Sequence, residues 1–433
     1  MTCPFGHGRP PSRRGFLGAV GSAMVAGGAI AATPGAKAAS EPREIEPFWG
    51  LHQGGIATLQ QSHSYFAALD LITEQKASIV AMLQAWTQAS ARLCAGQTAG
   101  PLGAADQIAA DGGTALGLAP ARLTITFGFG RGLFRKDGKD RYGLAAQLPE
   151  ALADLPKFHG DQLDPARSGG DLSIQACADD PQVAFHAVRE LIRLAYDVAQ
   201  LRWAQAGFLP NTPAGETGRN LMGFKDGTNN PPRSARERPA TPDLPRGFDP
   251  VVWVGEEGPA WMRGGSYLVA RRIRISLEHW DRTEVDFQEE VVGRHKYSGA
   301  PIGKTSEFDP LDLDREDKDG NLVIAETSHV RLGSALANGG AQIFRRAYSY
   351  NDGASFTAER WPPWRQGVMY DSGLFFLCYQ RDPRTGFSRI FETMAKLDAL
   401  NQFTTHNSSA LFACPGGVAQ GEYIGQRLFE AAA

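Results

Sequence analysis

Cysteine is scarce: Cys3, Cys94, Cys177, Cys378 and Cys414 are the five in 433 residues. No two form a C-x-x-C pair, which argues against thiolate zinc and iron–sulfur frameworks. Nine histidines occur, but none forms an H-x-x-x-H pair, so a zincin-type helix is absent. An excess of one charge is also missing. The 44 Lys and Arg face 47 Asp and Glu, for a formal net charge of −3, and no basic stripe stands out, which sets aside a nucleic-acid partner. A dinucleotide loop is incomplete. Gly128-Phe129-Gly130-Arg131-Gly132 follows a strand run, but Leu133 stands where the third glycine belongs and no parallel βαβ run surrounds it. A strand-end turn is the better account. A calcium loop is incomplete too. In Asp317-Lys318-Asp319-Gly320, with Glu326 downstream, the first ligand position falls on Arg315, a cation. A turn built on Asp-Gly remains.

What is present reads as a soluble globular chain long enough for two domains, with 42% hydrophobic and 21% charged residues. At the N-terminus, Ser12-Arg13-Arg14-Gly15-Phe16-Leu17 precedes a weakly apolar stretch from Gly15 to Ala32, then the small-x-small pattern Ala36-Lys37-Ala38. Adjacent arginines before an apolar run match the bacterial twin-arginine export signal. Residues 1–38 are therefore expected to be a cleaved signal peptide rather than a membrane anchor, because the Gly and Ala content makes insertion weak. Their four cations and no acids take the mature net charge to −7. The twin-arginine machinery carries folded proteins, often with a cofactor in place, so the expected location is periplasmic or extracellular. The four cysteines that remain are far apart and read as buried free thiols, with disulfides left open by the export argument.

Beyond a polar Glu41–Pro47 segment, the spacing of Ile79, Met82, Leu83 and Trp86 predicts a helix over Ala77–Leu93. Leu123–Phe127 and Ser173–Ala176 read as strands, and Pro181–Ala204 as one long amphipathic helix. Phe208–Pro250 is dense in Pro, Gly, Asn and Arg and reads as a long functional loop. The order then recurs: a strand at Ser266–Leu277, a helix at Glu284–Val292, an apolar strand at Gly373–Gln380, a helix at Phe387–Leu400 and a strand at Ala410–Ala413. Each half is roughly strand, helix, strand, helix, strand, which predicts two α+β domains, each an antiparallel sheet with helices on one face.

One constellation carries chemistry. Gly223-Phe224-Lys225-Asp226-Gly227-Thr228-Asn229-Asn230 brackets a carboxylate with two glycines, so backbone can approach a ligand closely. Downstream stand Thr327-Ser328-His329-Val330-Arg331 and Phe344-Arg345-Arg346-Ala347-Tyr348-Ser349-Tyr350. Singly, an Asp-Gly turn, a structural histidine and a surface arginine pair would explain each.

Together, these segments and the tail Thr404–Pro415 resemble the dye-decolourising peroxidase family. Gly223-Phe224-Lys225-Asp226-Gly227 is similar to its G-x-x-D-G signature. The order of motifs holds from about His52 to Phe429. With the export signal, the chain looks like the exported subgroup related to the deferrochelatase/peroxidase of bacterial iron-uptake systems. The resemblance implies two ferredoxin-like α+β domains of the dimeric α+β barrel type, over residues 48–210 and 251–429, joined by a loop at 211–250. It implies one haem b per chain, with His329 as proximal iron ligand, Asp226 and Arg345 on the distal side, and Gly227, Thr228 and Asn229 lining the haem. It also implies self-association. Two departures stand out. The subgroup's Asn-Pro-Arg after the histidine is replaced by Arg331-Leu332-Gly333-Ser334-Ala335-Leu336, which removes one propionate contact. Gln402 stands where a Glu is common, which leaves Asp398 as a candidate acceptor for the second N–H of His329.

The expected activity is reduction of hydrogen peroxide coupled to oxidation of dyes, phenols or other bulky one-electron donors. Asp226 shuttles a proton and Arg345 stabilises developing charge. Tyr348, Tyr350, Trp361 and Trp364 could relay electrons, although packing explains aromatics more often. Three rival readings share the sequence: release of iron from haem with the porphyrin intact, alongside iron-uptake components as partners, a non-catalytic envelope haem carrier, and a non-haem α+β binding protein. An ordinary aspartate titrates near ~4, so dye oxidation should be fastest at mildly acidic pH. A pH–rate profile peaking above neutrality would count against Asp226 as the base.

Overall fold

Strand alternation sets the architecture. On β1, Ala67 and Leu69 join one apolar cluster, while Phe66 and Ala68 join another on the opposite face. A computed structural model of the chain describes residues 44–431, apart from 214, 234–243, 245 and 359–365. The expected signal peptide, Trp361 and Trp364 lie outside the described residues. The described strands are β1 (His63–Leu71), β2 (Thr124–Phe129), β3 (Leu172–Ala178), β4 (Ala199–Phe208), β5 (Ser266–Ile275), β6 (Phe344–Arg345), β7 (Tyr348–Ala358), β8 (Gln366–Gln380) and β9 (Thr404–Cys414). The helices are α1 (Lys76–Cys94), α2 (Pro181–Arg193), α3 (Phe248–Val252), α4 (Leu277–Trp280), α5 (Val285–Val292), α6 (His329–Gly333), α7 (Phe387–Leu397) and α8 (Gln426–Glu430).

All strand pairings are antiparallel. The order β5-β9-β2-β3-β1-β4-β7-β8 closes on itself because β5 also pairs β8, from Tyr267↔Gln380 to Arg274↔Gly373. An eight-stranded ring results, and β6 adds to β8. The two halves of the chain contribute alike. The first runs β4-β1-β3-β2 and the second β9-β5-β8-β7. They meet at Phe208↔Ser349 and Phe129↔Ala413. The α+β expectation therefore holds, but both halves share one closed sheet within a single compact unit, Arg43–Ala433. Closure removes the sheet edges that two separate sheets would expose.

Helices α1 and α2 cover the first half. Trp86 stacks on Phe127 at 5.3 Å and donates its indole N–H to the Leu191 carbonyl at 2.7 Å. The expected Pro181–Ala204 helix is shorter. It is capped at its start by Asp180, whose side chain accepts from Gln182 and Val183, and it ends at Arg193. Ala199–Phe208 is β4 instead. Apolar residues at 195, 198 and 199 carry the helical spacing into the start of β4, and Leu201, Ala206 and Phe208 on its exposed positions are apolar, which hid its alternation. Strand β2 also runs two residues further than expected, through Gly128 to Phe129. A Cβ on Gly128 would lie 2.5 Å from Ser173 Oγ and 2.7 Å from Phe412 Cβ, so its glycine serves close packing inside the sheet rather than a turn. Cys94, Cys177, Cys378 and Cys414 are free and buried, as the sequence suggested. Burial pushes the Cys94 thiol up to about 12.

Trp86→Ala should destabilise the chain by about 3–5 kcal/mol, the range for deleting a buried aromatic. Denaturant unfolding with the haem content matched between variants checks this. A loss under about 1 kcal/mol would mean that the α1–sheet contact matters little.

Candidate active site

The loop after β4, α6, β6 and the end of α7 bring the predicted residues to one cavity. Its volume is about 250 Å³, against roughly 10–15 Å³ for a cavity that holds a single water. His329, Asp226, Gly227, Thr228, Asn229 and Arg345 all line it. The rest of the wall is largely apolar, including Ile273, Ile275, Leu374, Phe376 and Ile390.

His329 opens α6, with buried Ser328 before it. Leu332 on this helix packs with Ile390 and Met394 of α7. The backbone N–H of Ala399 donates to the Thr327 carbonyl at 2.9 Å, tying the end of α7 to the entry of α6. Asp398 is thereby placed beneath the imidazole. Nδ1–H of His329 donates to Asp398 Oδ2 at 2.7 Å, and Leu400 N–H donates to Oδ1 at 2.9 Å. Asp398 is the acceptor that the sequence left open. Gln402 instead donates to the Ala399 carbonyl within its own turn. Because Nδ1 is committed, Nε2 is the free donor atom, and the side chain keeps 39% of its surface accessible. Burial disfavours charge on the ring, but the Asp398 carboxylate and its hydrogen bond outweigh it and raise the His329 pKa above its ordinary value.

Arg345 and Arg346 are strand neighbours, so they face opposite ways. Arg346 is buried and donates to the Thr58 carbonyl (2.5 Å) and to Gln61 Oε1. Arg345 lines the cavity and donates through one terminal nitrogen to Asp226 Oδ1 at 2.8 Å. The Asp226 loop is held by its own backbone. Asp226 N–H donates to the Gly218 carbonyl at 2.9 Å, and Gly227 adopts φ +118°, a conformation that favours glycine.

Three residues absent from the sequence-derived site also shape it. The Asn230 amide donates to the Arg345 carbonyl at 2.7 Å and accepts from Arg345 N–H at 3.0 Å, a two-point clamp on the arginine's backbone. It lies in the motif run, but nothing in the sequence pairs it with residue 345. Glu307 accepts from Lys225 at 2.5 Å and Thr228 at 2.8 Å. Burial works against its charge, yet hydrogen bonds from Lys225, Thr217 and Thr228 hold its carboxyl below the usual range. His406 lines the cavity, with its Nδ1 buried. Burial, reinforced by Arg271, pushes its pKa well below the ordinary value. Arg331 is spent on structure, donating to the Ile324 and Leu313 carbonyls.

The wall suits an amphipathic ligand with a metal. It is apolar over most of its area, it offers a free imidazole nitrogen, and it carries two buried polar atoms with no partner, His406 Nδ1 and Gln342 Nε2. A carboxylate-bearing porphyrin meets each demand. A closed antiparallel barrel with such a pocket defines a class: an α+β protein built to hold a large planar cofactor beside a carboxylate–guanidinium pair.

Comparison with known proteins gives the family. Residues 53–209 match the Dyp-type peroxidase N-terminal family and residues 217–419 the C-terminal family. The chain is 37% identical to a dye-decolorizing peroxidase of Thermobifida fusca over 99% of its length and 100% of that protein. It is 33% identical to a deferrochelatase of Escherichia coli K12, over 96% and 97%. A DyP-type peroxidase structure from Streptomyces coelicolor superposes with TM-score 0.78 at 41% identity, over 89% of this chain and 97% of that one. The chain belongs to the Dyp-type peroxidase family and is a haem peroxidase.

Asn230→Ala should retain haem but slow the reaction with peroxide by on the order of tenfold, because Arg345 loses its backbone clamp. Rapid mixing checks this. A rate equal to that of the unmodified protein would assign the clamp to folding alone.

Proposed function

We infer that His329 Nε2 ligates the iron of one haem b per chain and that Asp226 and Arg345 serve the peroxide. The observation that carries this is the convergence of the His329–Asp398 pair and the Asp226–Arg345 pair on one cavity. When bound, the haem supplies the redox chemistry and the site that takes the peroxide. Asp226 accepts a proton from hydrogen peroxide and delivers it to the departing oxygen, which leaves as water. Arg345 donates hydrogen bonds to the charge that develops as the O–O bond breaks. Asp398 orients the His329 ring and increases its basicity. His406 Nδ1 and Gln342 Nε2, buried and unpartnered, would be available to polar groups of the bound cofactor. Electrons then come singly from dyes or other bulky donors.

We read the two halves of the barrel, each with the same strand order, as ferredoxin-like units of the dimeric α+β barrel type. The twin-arginine motif supports export to the periplasm or beyond, and family habit supports a homo-oligomer. Iron release from haem is the second reading. It is favoured by the 33% identity to the deferrochelatase, which spans 97% of that protein.

His329→Ala should lose haem or its normal ligation. Asp226→Asn and Arg345→Leu should keep the Soret band but form the first oxidised species slower, on the order of 10²–10⁴ for a lost general base. Stopped-flow mixing in which neither variant is slowed would overturn the roles. Assay of free protoporphyrin, with and without peroxide, separates iron release from peroxidase turnover.

A further inference from the structure

Far from the haem cavity in sequence, the loop over residues 98–114 lies against α2 and brings three ligating side chains together. One ligand atom from each of Asp111, His186 and Glu190 lies within 4.8 Å of the others, and all three residues are buried. We propose that they form a binding site for a divalent cation of the Zn²⁺ type, which staples this loop to α2.

The helix supplies two ligands one turn apart, His186 and Glu190, on one face. The loop supplies the third. Asp111 is fixed by backbone, since Ala99 N–H donates to Oδ2 at 2.6 Å and Gly113 N–H to Oδ1 at 2.7 Å. His186 Nε2 stands 3.4 Å from Asp111 Oδ2. Two ligands of a tetrahedral ion with bonds of about 2.1 Å sit about 3.4 Å apart. The other ring nitrogen, Nδ1, is 2.8 Å from Thr114 Oγ1. With Nδ1–H donating to that hydroxyl, the lone pair falls on Nε2, toward Asp111.

Glu190 is the independent pointer to a ligand. It is 1% exposed. Its Oε2 accepts from Arg193 at 2.5 Å, but Oε1 is buried without a hydrogen-bond partner, 3.9 Å from Nδ1 of His186. A buried carboxylate oxygen left unsatisfied is costly, and a cation between it, His186 and Asp111 would remove that cost. The guanidinium groups of Arg189 and Arg193 approach from the Gly112 side. They weaken the site without filling it.

The test uses haem-loaded protein, so that His329 is already engaged, stripped with EDTA and titrated with Zn²⁺ alone. Calorimetry and elemental analysis should find one zinc per chain beyond the haem iron. Hydrogen exchange in residues 98–114 should slow on zinc addition. Glu190→Gln, nearly isosteric, should weaken binding at least tenfold with an unchanged Soret band, and His186→Ala should abolish it. If His186→Ala does not fold, Glu190→Gln decides. No bound equivalent in the parent protein, or equal binding in Glu190→Gln, would show that the three groups are only a buried polar network.

Discussion

The hydrogen bond between His329 and Asp398 is the contact on which the site depends. It joins the first residue of α6 to the residue that follows α7, across 69 positions of sequence, at 2.7 Å. It commits Nδ1 and so leaves Nε2 as the nitrogen open to a ligand. The clasp is rigid because Asp398 uses its other oxygen to start the next turn, and because Ala399 binds the backbone just before α6. The packing of α6 on α7 through Leu332, Ile390 and Met394 keeps both ends in register. An imidazole held this way loses little entropy when it takes a ligand.

Much of this was legible in the residues. The helix over 76–94, the strands at 172–178 and 266–275, and the helix at 387–397 follow from apolar spacing alone. The convergence of Asp226, His329 and Arg345 was reached through resemblance, since each residue singly has a dull explanation. Closure of the ring was not legible. It rests on single-register meetings such as Phe129↔Ala413 and Phe208↔Ser349, where no local pattern changes. Nor was β4, whose outward residues blur the alternation of Trp203, Gln205 and Gly207. The partners Asn230 and Glu307 escaped for the same reason. Their bonds span 115 and 79 positions, and side-chain amides and carboxylates carry no periodic signal.

The alternation of Arg345 and Arg346 shows how one strand serves two chemistries. Arg346 is inside, tying β6 to the segment before β1 through Thr58 and Gln61. That tie holds the short β6 against β8, and so presents Arg345 to the cavity. A surface-pair reading treats the two arginines as equivalent, whereas strand geometry makes one a structural anchor and the other a cavity group.

The Asp226–Arg345 contact also bears on how acid–base work is divided. Arg345 engages Oδ1 of Asp226, and among the described residues no hydrogen bond to Oδ2 is found. One oxygen anchors the carboxylate while the other remains open to a proton, as the proposed base beside a peroxide would require. The same guanidinium has further N–H groups for developing negative charge. On the proposed roles, anchoring and stabilisation come from one side chain, so losing Arg345 would both free the base to drift and remove a donor. On the same roles, losing the Asp226 carboxylate would remove only the proton carrier. The two residues act as a unit, and their contributions cannot be added as if they were independent.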